Sequence, residues 1–345
     1  MPDPTSPPRM QRLPAVVGLF FLSPICAEYL IGYAESIGNP LEMLAGLLVL
    51  GPLYGAVAVL IREFARRAGR GWPSILLLGS AFGLLQAGLI DQSLFNPEYG
   101  GEVDIPYWDA ERQPTLVQSL GVSANHVLDF VGGHIIWSFA APIAVVESCV
   151  PGLARRPWLG RPGMAVMVAL YLIAAALVFN DHLETEQFMA TQTQMAATAA
   201  IALLLAVAAF AIPRRSSLAA GSVPRPFFIG LLALAALTVQ TLSAPTWSGI
   251  VLAAAALLLA GALLLHFSAR AAWTQRHVLA AAGAALVVNA AFSFVVEPLG
   301  NPSYVMKYIS NAAIMLGVLS LLAWAFMRLC RAEAAADRVV SGEKS

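Results

Sequence analysis

Charge is scarce in this chain. Only 12% of its 345 residues are charged and 59% are hydrophobic, whereas a soluble globule carries about 25% charged residues. That balance excludes an ordinary soluble domain. Cysteine is scarce as well: Cys26, Cys149 and Cys330 are the full set. They lack metal-site spacing and give no disulfide framework. Recognisable catalytic signatures are missing too. The chain has no nucleotide loop, HExxH zinc pair, nucleophile elbow, haem-attachment motif or dinucleotide fingerprint. With 20 basic and 20 acidic residues its net charge is zero, and no nucleic-acid partner is expected. The first apolar segment follows the Pro-rich tail MPDPTSPPRMQRL without a small-x-small cleavage site. It reads as a retained span rather than a removed leader. The tail, residues 1–13, reads as disordered and cytoplasmic.

What the chain does have is a series of apolar stretches near 20 residues long. A helix needs roughly 20 residues to cross a hydrocarbon core about 30 Å thick. The stretches lie at about 14–34, 42–62, 72–93, 125–150, 162–180, 195–213, 226–243, 247–266, 277–297 and 308–330. The expected fold is all-α: one polytopic transmembrane bundle of about ten spans over 14–330, followed by a polar cytoplasmic tail at 331–345. Basic residues alternate strongly between loops. Arg9 and Arg12, Arg62 to Arg70, Arg155 to Arg161, Arg214 to Arg225, Arg270 and Arg276, and Arg328 to Arg338 lie on one side, while the other loops hold only Arg112 and Lys307 as basic residues. The positive-inside rule places the Arg-rich loops and both termini in the cytoplasm. The segments at 226–243 and 247–266 are Leu- and Ala-rich and read as plain packing helices. Two five-span halves related by inversion are a common transporter plan, but the polar groups cluster in the first four spans, so the sequence favours a polar half beside a packing half.

Most of the intramembrane ionisable groups fall between Trp72 and Pro151. Such groups are costly in hydrocarbon and mark candidate sites. Gln86 lies within the third span and Asp91 near its outer end. On a regular α-helix their spacing separates them by about 140°. His126, Asp129 and His134 lie in the fourth span, and Glu147 nearer its inner end. Glu28 lies about two-thirds of the way across the first span, with a protonated, bundle-buried Glu as the plain alternative. For His134 the plain alternative is a neutral core histidine bonded to a helix carbonyl. The Arg62, Glu63, Arg66, Arg67 and Arg70 cluster reads as a topology anchor, with Arg62 and Glu63 as candidates for an internal pair. The long loop between the third and fourth spans is acidic through Glu98, Glu102, Asp104, Asp109 and Glu111. It reads as a lid over a pocket or as a loop with no specific role.

The element Phe130-x-x-x-His134 resembles the phenylalanine–histidine motif of the membrane proteases that process prenylated (CAAX) proteins and bacteriocins. That resemblance implies water activation by histidines together with a paired glutamate on a preceding helix. Here the corresponding place reads QAGLIDQ, so Gln86 and Ala87 replace the glutamate pair, and no third motif follows. The departure argues against carrying proteolysis over. The stretches GWPSILLLGSAFGLLQ, QSLFNP and RPWLGRPG resemble uncharacterised multi-pass membrane proteins of high-GC bacteria, which implies a bacterial inner-membrane location.

The catalytic candidates are therefore Glu28, Gln86, Asp91, His126, Asp129 and His134. The first, third and fourth spans should pack together around one polar cavity holding Glu28, Gln86 and His134, with Asp91, His126 and Asp129 at its outer mouth. Leaving each group separately unpaired would cost several kcal/mol. Expected partners are membrane lipid and a lipid-like or small-molecule substrate; cofactor, metal and oligomeric state stay open. Three functions compete: an enzyme acting on a lipid or other apolar substrate, a proton-coupled transporter or permease, and a non-catalytic assembly or sensory protein.

Overall fold

The computed structural model describes residues 12–100, 107–213, 219–300 and 302–341. The tail at 1–11 with Arg9, the loop acids Glu102 and Asp104, Arg214 and Arg215, and residues 342–345 lie outside them. Helices follow the hydropathy pattern closely. They are α1 (Leu13–Tyr29), α2 (Pro40–Arg67), α3 (Trp72–Ile90), a short α4 (Trp108–Arg112), α5 (Ala124–Cys149), α6 (Arg161–Thr185), α7 (Gln192–Ala211), α8 (Pro226–Leu242), α9 (Trp247–Phe267), α10 (Gln275–Phe292) and α11 (Tyr304–Ser341). Among the described residues, seven of these are long and apolar enough to cross a membrane: α2, α3, α5, α6, α7, α9 and α11. Helices α1 and α8 are shorter and apolar. A two-residue hairpin, Leu116–Val117 with Val122–Ser123, lies in the loop before α5.

Local chemistry explains where the helices begin. Pro40, Pro73, Pro162 and Pro226 occupy first turns, where a missing N–H costs nothing. Thr191 and Gln194 form a reciprocal capping box at α7, satisfying two otherwise orphan donors. Thr246 accepts from the Gly249 N–H at 3.2 Å at the start of α9.

Helix α5 is the hub. Its lower half packs on α1, α10 and α11, and its middle packs on α3. The apolar window of α2 is 56% buried, whereas that of α6 is only 6% buried. Helix α6 therefore belongs on the lipid face, showing Leu172, Ile173 and Leu177 outward, as α9 shows Leu258 and Leu259. Helices α1 and α2 meet at backbone contact. A Cβ placed on Gly55 would lie 1.9 Å from the Phe20 carbonyl oxygen, so no larger residue fits there.

Five helix segments open into wider π-helical turns: Ile25–Tyr29, Gly51–Gly55, Gln86–Ile90, Val127–Val131 and His134–Ala140. The amide of Leu30 bonds to the Ile25 carbonyl at 2.9 Å, and that of Asp91 to the Gln86 carbonyl at 3.0 Å. Bonding across five residues brings side chains i and i+5 onto one face. Such turns occur frequently at functional sites, and here they carry Glu28, Gln86, Asp129 and His134.

The arginine cluster in the last turns of α2 forms an internal network. Arg62, Glu63 and Glu147 are fully buried. Arg62 bonds to Glu63 at 2.8 Å and to Glu147 at 3.1 Å, and its remaining terminal nitrogen reaches the Leu153, Ala154 and Arg156 carbonyls. Its guanidinium lies 3.4 Å above the Trp158 ring. Arg66 holds Glu147 through two bonds of 2.8 and 2.6 Å. Glu63 accepts from the Trp158 and Leu159 amides. The internal-pair reading therefore holds for Arg62 and Glu63. With all of these groups satisfied, the network joins α2, α5 and the 150–160 loop and leaves no free group for a ligand.

Candidate functional site

A cavity of about 350 Å³ opens beside the upper half of α5. Helix α1 supplies Glu28, and Tyr33 lines the cavity just beyond it; α4 supplies Glu111; α5 supplies Asp129 and His134. The other wall comes from the second part of the chain, with Gln240 on α8 and Asn289 on α10.

The histidine is held in one orientation. Its Nδ1 lies 2.5 Å from the Phe130 carbonyl oxygen, which can only accept, so Nδ1 carries a proton and, in the neutral ring, Nε2 is an acceptor. Nε2 is buried and has no partner. The imidazole stacks on Tyr54 with centroids 5.6 Å apart. On its other side α3 comes close: a Cβ at Gly83 would lie 2.9 Å from the His134 Cβ. Glycine at 83 is therefore the residue that lets α3 pass the histidine. Gly132 and Gly133 face no neighbouring helix, and Gly133 instead leaves cavity space.

Glu28 accepts a short hydrogen bond from the Tyr33 hydroxyl, five residues on. Glu28 and His134 line one cavity, and Tyr54 packs on the His134 ring. Asp129 reaches the same cavity and accepts from the Asn125 amide at 2.8 Å.

Three other candidates are placed elsewhere. Gln86 and Asp91 do not line the cavity; they pair with each other at 3.1 Å. The π-helical turn between them removes the separation expected of a regular α-helix and stacks i on i+5. His126 does not line it either. Its ring is buried against Trp108, with centroids 4.3 Å apart, and against Phe130. Both of its ring nitrogens lack partners.

The acidic loop covers part of the site. Its Glu111 lines the cavity, and burial raises this carboxyl above the ordinary carboxylate value. Tyr99 stacks on Trp108; burial, and then the Asp91 charge, hold its phenol well above the usual value. The loop is pinned at Gln92, whose backbone takes the left-handed conformation at φ 54°. The Gln92 side chain accepts from the Ala190 amide at 2.6 Å, so the α3–α4 and α6–α7 loops are tied together. Such a conformation in a non-glycine residue needs surrounding structure to hold it.

Sequence reasoning missed Tyr33, Tyr54 and Gln240, and did not connect Asn289 or Glu111 to the site. A signal did exist for Gln240: it is the one amide in the apolar run PFFIGLLALAALTVQTL. Among the described residues, no group of three or more His, Cys, Asp or Glu side chains is placed to hold a metal ion.

Apolar helices with outward-facing leucines, built around a polar interior cavity, define an integral multi-pass membrane protein. The chain belongs to the group described as "Uncharacterized membrane protein family", whose model matches residues 17–332. No curated protein and no solved structure matches it.

Proposed function

We propose that this protein is a membrane-embedded enzyme that carries out proton-transfer chemistry on a lipid or another apolar substrate. The observation that carries the reading is that His134, whose Nε2 is buried without a partner, lines one cavity with Glu28 and Asp129. An imidazole oriented through Nδ1 presents Nε2 as the position for proton transfer. Glu28, bonded to Tyr33, and Asp129, bonded to Asn125, stabilise the imidazolium that forms when Nε2 takes a proton. Gln86 supplies no carboxylate, so the reading does not follow the paired-glutamate scheme of the membrane proteases.

The proposal includes ten spans, both termini in the cytoplasm and a location in a bacterial inner membrane. This orientation turns the cavity and the α4 loop outward and the Arg62 network inward. The test is turnover by purified protein in lipid nanodiscs containing a total lipid extract, followed by mass spectrometry. Wild type should deplete a defined amphiphile and His134→Ala should not. Equal profiles from both proteins would remove His134 from catalysis.

A second reading, a proton-coupled carrier, draws on three carboxylates lining one cavity: Glu28, Glu111 and Asp129. Uptake into proteoliposomes that follows an imposed proton gradient and persists in His134→Ala would favour it.

A further inference from the structure

We infer that the cavity recognises an amphiphile with a protonated primary or secondary amine as its head, a conclusion that rests on this cavity being the functional site. The argument is a count of donors and acceptors. Three carboxylates line the cavity, and no Lys or Arg is among the described residues lining it. Neither of two cations outside the wall points its bonds at it: Arg112 donates through Nη2 to the Gly121 carbonyl, with its Nε buried and unpartnered, and Lys307 donates to the Ser293 and Val296 carbonyls.

The donors of the wall are largely spent on the protein itself. Tyr33 donates to Glu28 and Asn125 donates to Asp129. The Trp137 indole donates to the Ala285 carbonyl at 3.0 Å. Thr241 and Ser243 return their hydroxyl protons to their own helix, at Leu237 and Val239. The remaining side-chain donors, at Ser138, Gln240 and Asn289, are neutral. Two acceptors, in contrast, are buried without a partner. Gln240 is 7% exposed, yet its Oε1 has no partner, and His134 Nε2 is in the same position.

A buried acceptor without a donor costs about 1–3 kcal/mol, so the ligand that best completes this wall brings N–H donors and positive charge. An ammonium does both, and its bonds to carboxylates are of the strong, charge-assisted kind. The Trp137 ring lies on the same wall and can face a cation. Phosphate-bearing heads are disfavoured because no Lys or Arg is among the described residues of this wall to pair with them. The remaining wall is apolar, through residues such as Ile31, Leu128 and Ile250, and suits an alkyl chain.

The experiment measures binding to the full-length protein in phosphatidylcholine nanodiscs, with empty nanodiscs subtracted. The probes are octylammonium, octyltrimethylammonium and octanol. Octylammonium should bind at least about tenfold tighter than either of the others, equivalent to about 1.4 kcal/mol. Asp129→Asn should remove most of that preference. Gln240→Leu, which deletes the unpartnered acceptor without emptying its space, should weaken octylammonium more than octanol. Equal binding of the three probes by wild type, or an unaltered preference in both variants, would overturn the inference. If the preference is missing while turnover still depends on His134, the ligand class falls and the enzyme reading stands. If the preference is present but turnover ignores His134, the enzyme reading falls and the ligand class stands.

Discussion

Removing Arg62 tests how the inner half of the bundle is held. Arg62→Met keeps much of the side-chain volume and the contact with Trp158 but deletes every polar bond of the guanidinium. Glu63 and Glu147 are then left buried with a cation missing. Breaking one partner of a buried pair costs about 3–5 kcal/mol. Two features place this site at the lower end. Arg66 still holds Glu147 through two bonds, and the Trp158 and Leu159 amides still hold Glu63. The carbonyls of Leu153, Ala154 and Arg156 add to the cost because they lose a donor that they share. The expected loss is about 3 kcal/mol, or somewhat more than a hundredfold in the unfolding constant. The assay is SDS-driven unfolding in mixed micelles, followed by circular dichroism. Arg62→Lys should recover only part of the loss, because an ammonium lacks the planar fork. A loss below about 1 kcal/mol, the size expected of an exposed pair, would refute the reasoning.

Gly83→Ala should destabilise the α3–α5 contact by about 1–3 kcal/mol as in other overpacked sites, with the histidine ring displaced; an unchanged melting point would contradict the close approach at His134. Burial raises the Glu111 carboxyl above its unfolded value, so the folded state holds the proton more tightly. Stability from this group is fully present below the unfolded value and is lost as pH rises through the folded value. Glu111→Gln should therefore flatten the pH dependence of stability above the ordinary carboxylate range, as measured by melting across pH. Reporters in the 93–124 and 62–72 loops should report external and cytoplasmic faces respectively, and the reverse result would overturn the orientation.

Much of the architecture was legible because lipid imposes simple constraints. Length and apolarity place the helices, and Arg alternation gives them an expected orientation. Glu28, Asp129 and His134 were legible as site candidates because an ionisable group in an apolar span has few alternatives to a protein partner. Pairing was harder to read. The angle between Gln86 and Asp91 on an α-helix gives the wrong geometry when the turn is π-helical, and nothing in QAGLID announces that change of period. His126 looked equivalent to Asp129, one turn away, but the Trp108 ring from the loop takes one side of α5 while the cavity takes the other. The second wall was hidden for a different reason. Gln240 and Asn289 are single amides in Leu- and Ala-rich helices, and only the packing of α8 on α10, and of α10 on α5, brings them to one cavity. The Arg62 network was ambiguous because a basic cluster after a span is read first as an anchor. Its buried state depends on Glu147, 85 residues away.

The tautomer of His134 tests the central claim most directly. Nitrogen NMR of the histidine-labelled protein in nanodiscs, assigned by difference from His134→Ala, reports each ring nitrogen separately. The account predicts a protonated Nδ1 and an unprotonated Nε2 that shifts when octylammonium is added. A protonated Nε2 that is insensitive to the ligand would contradict it.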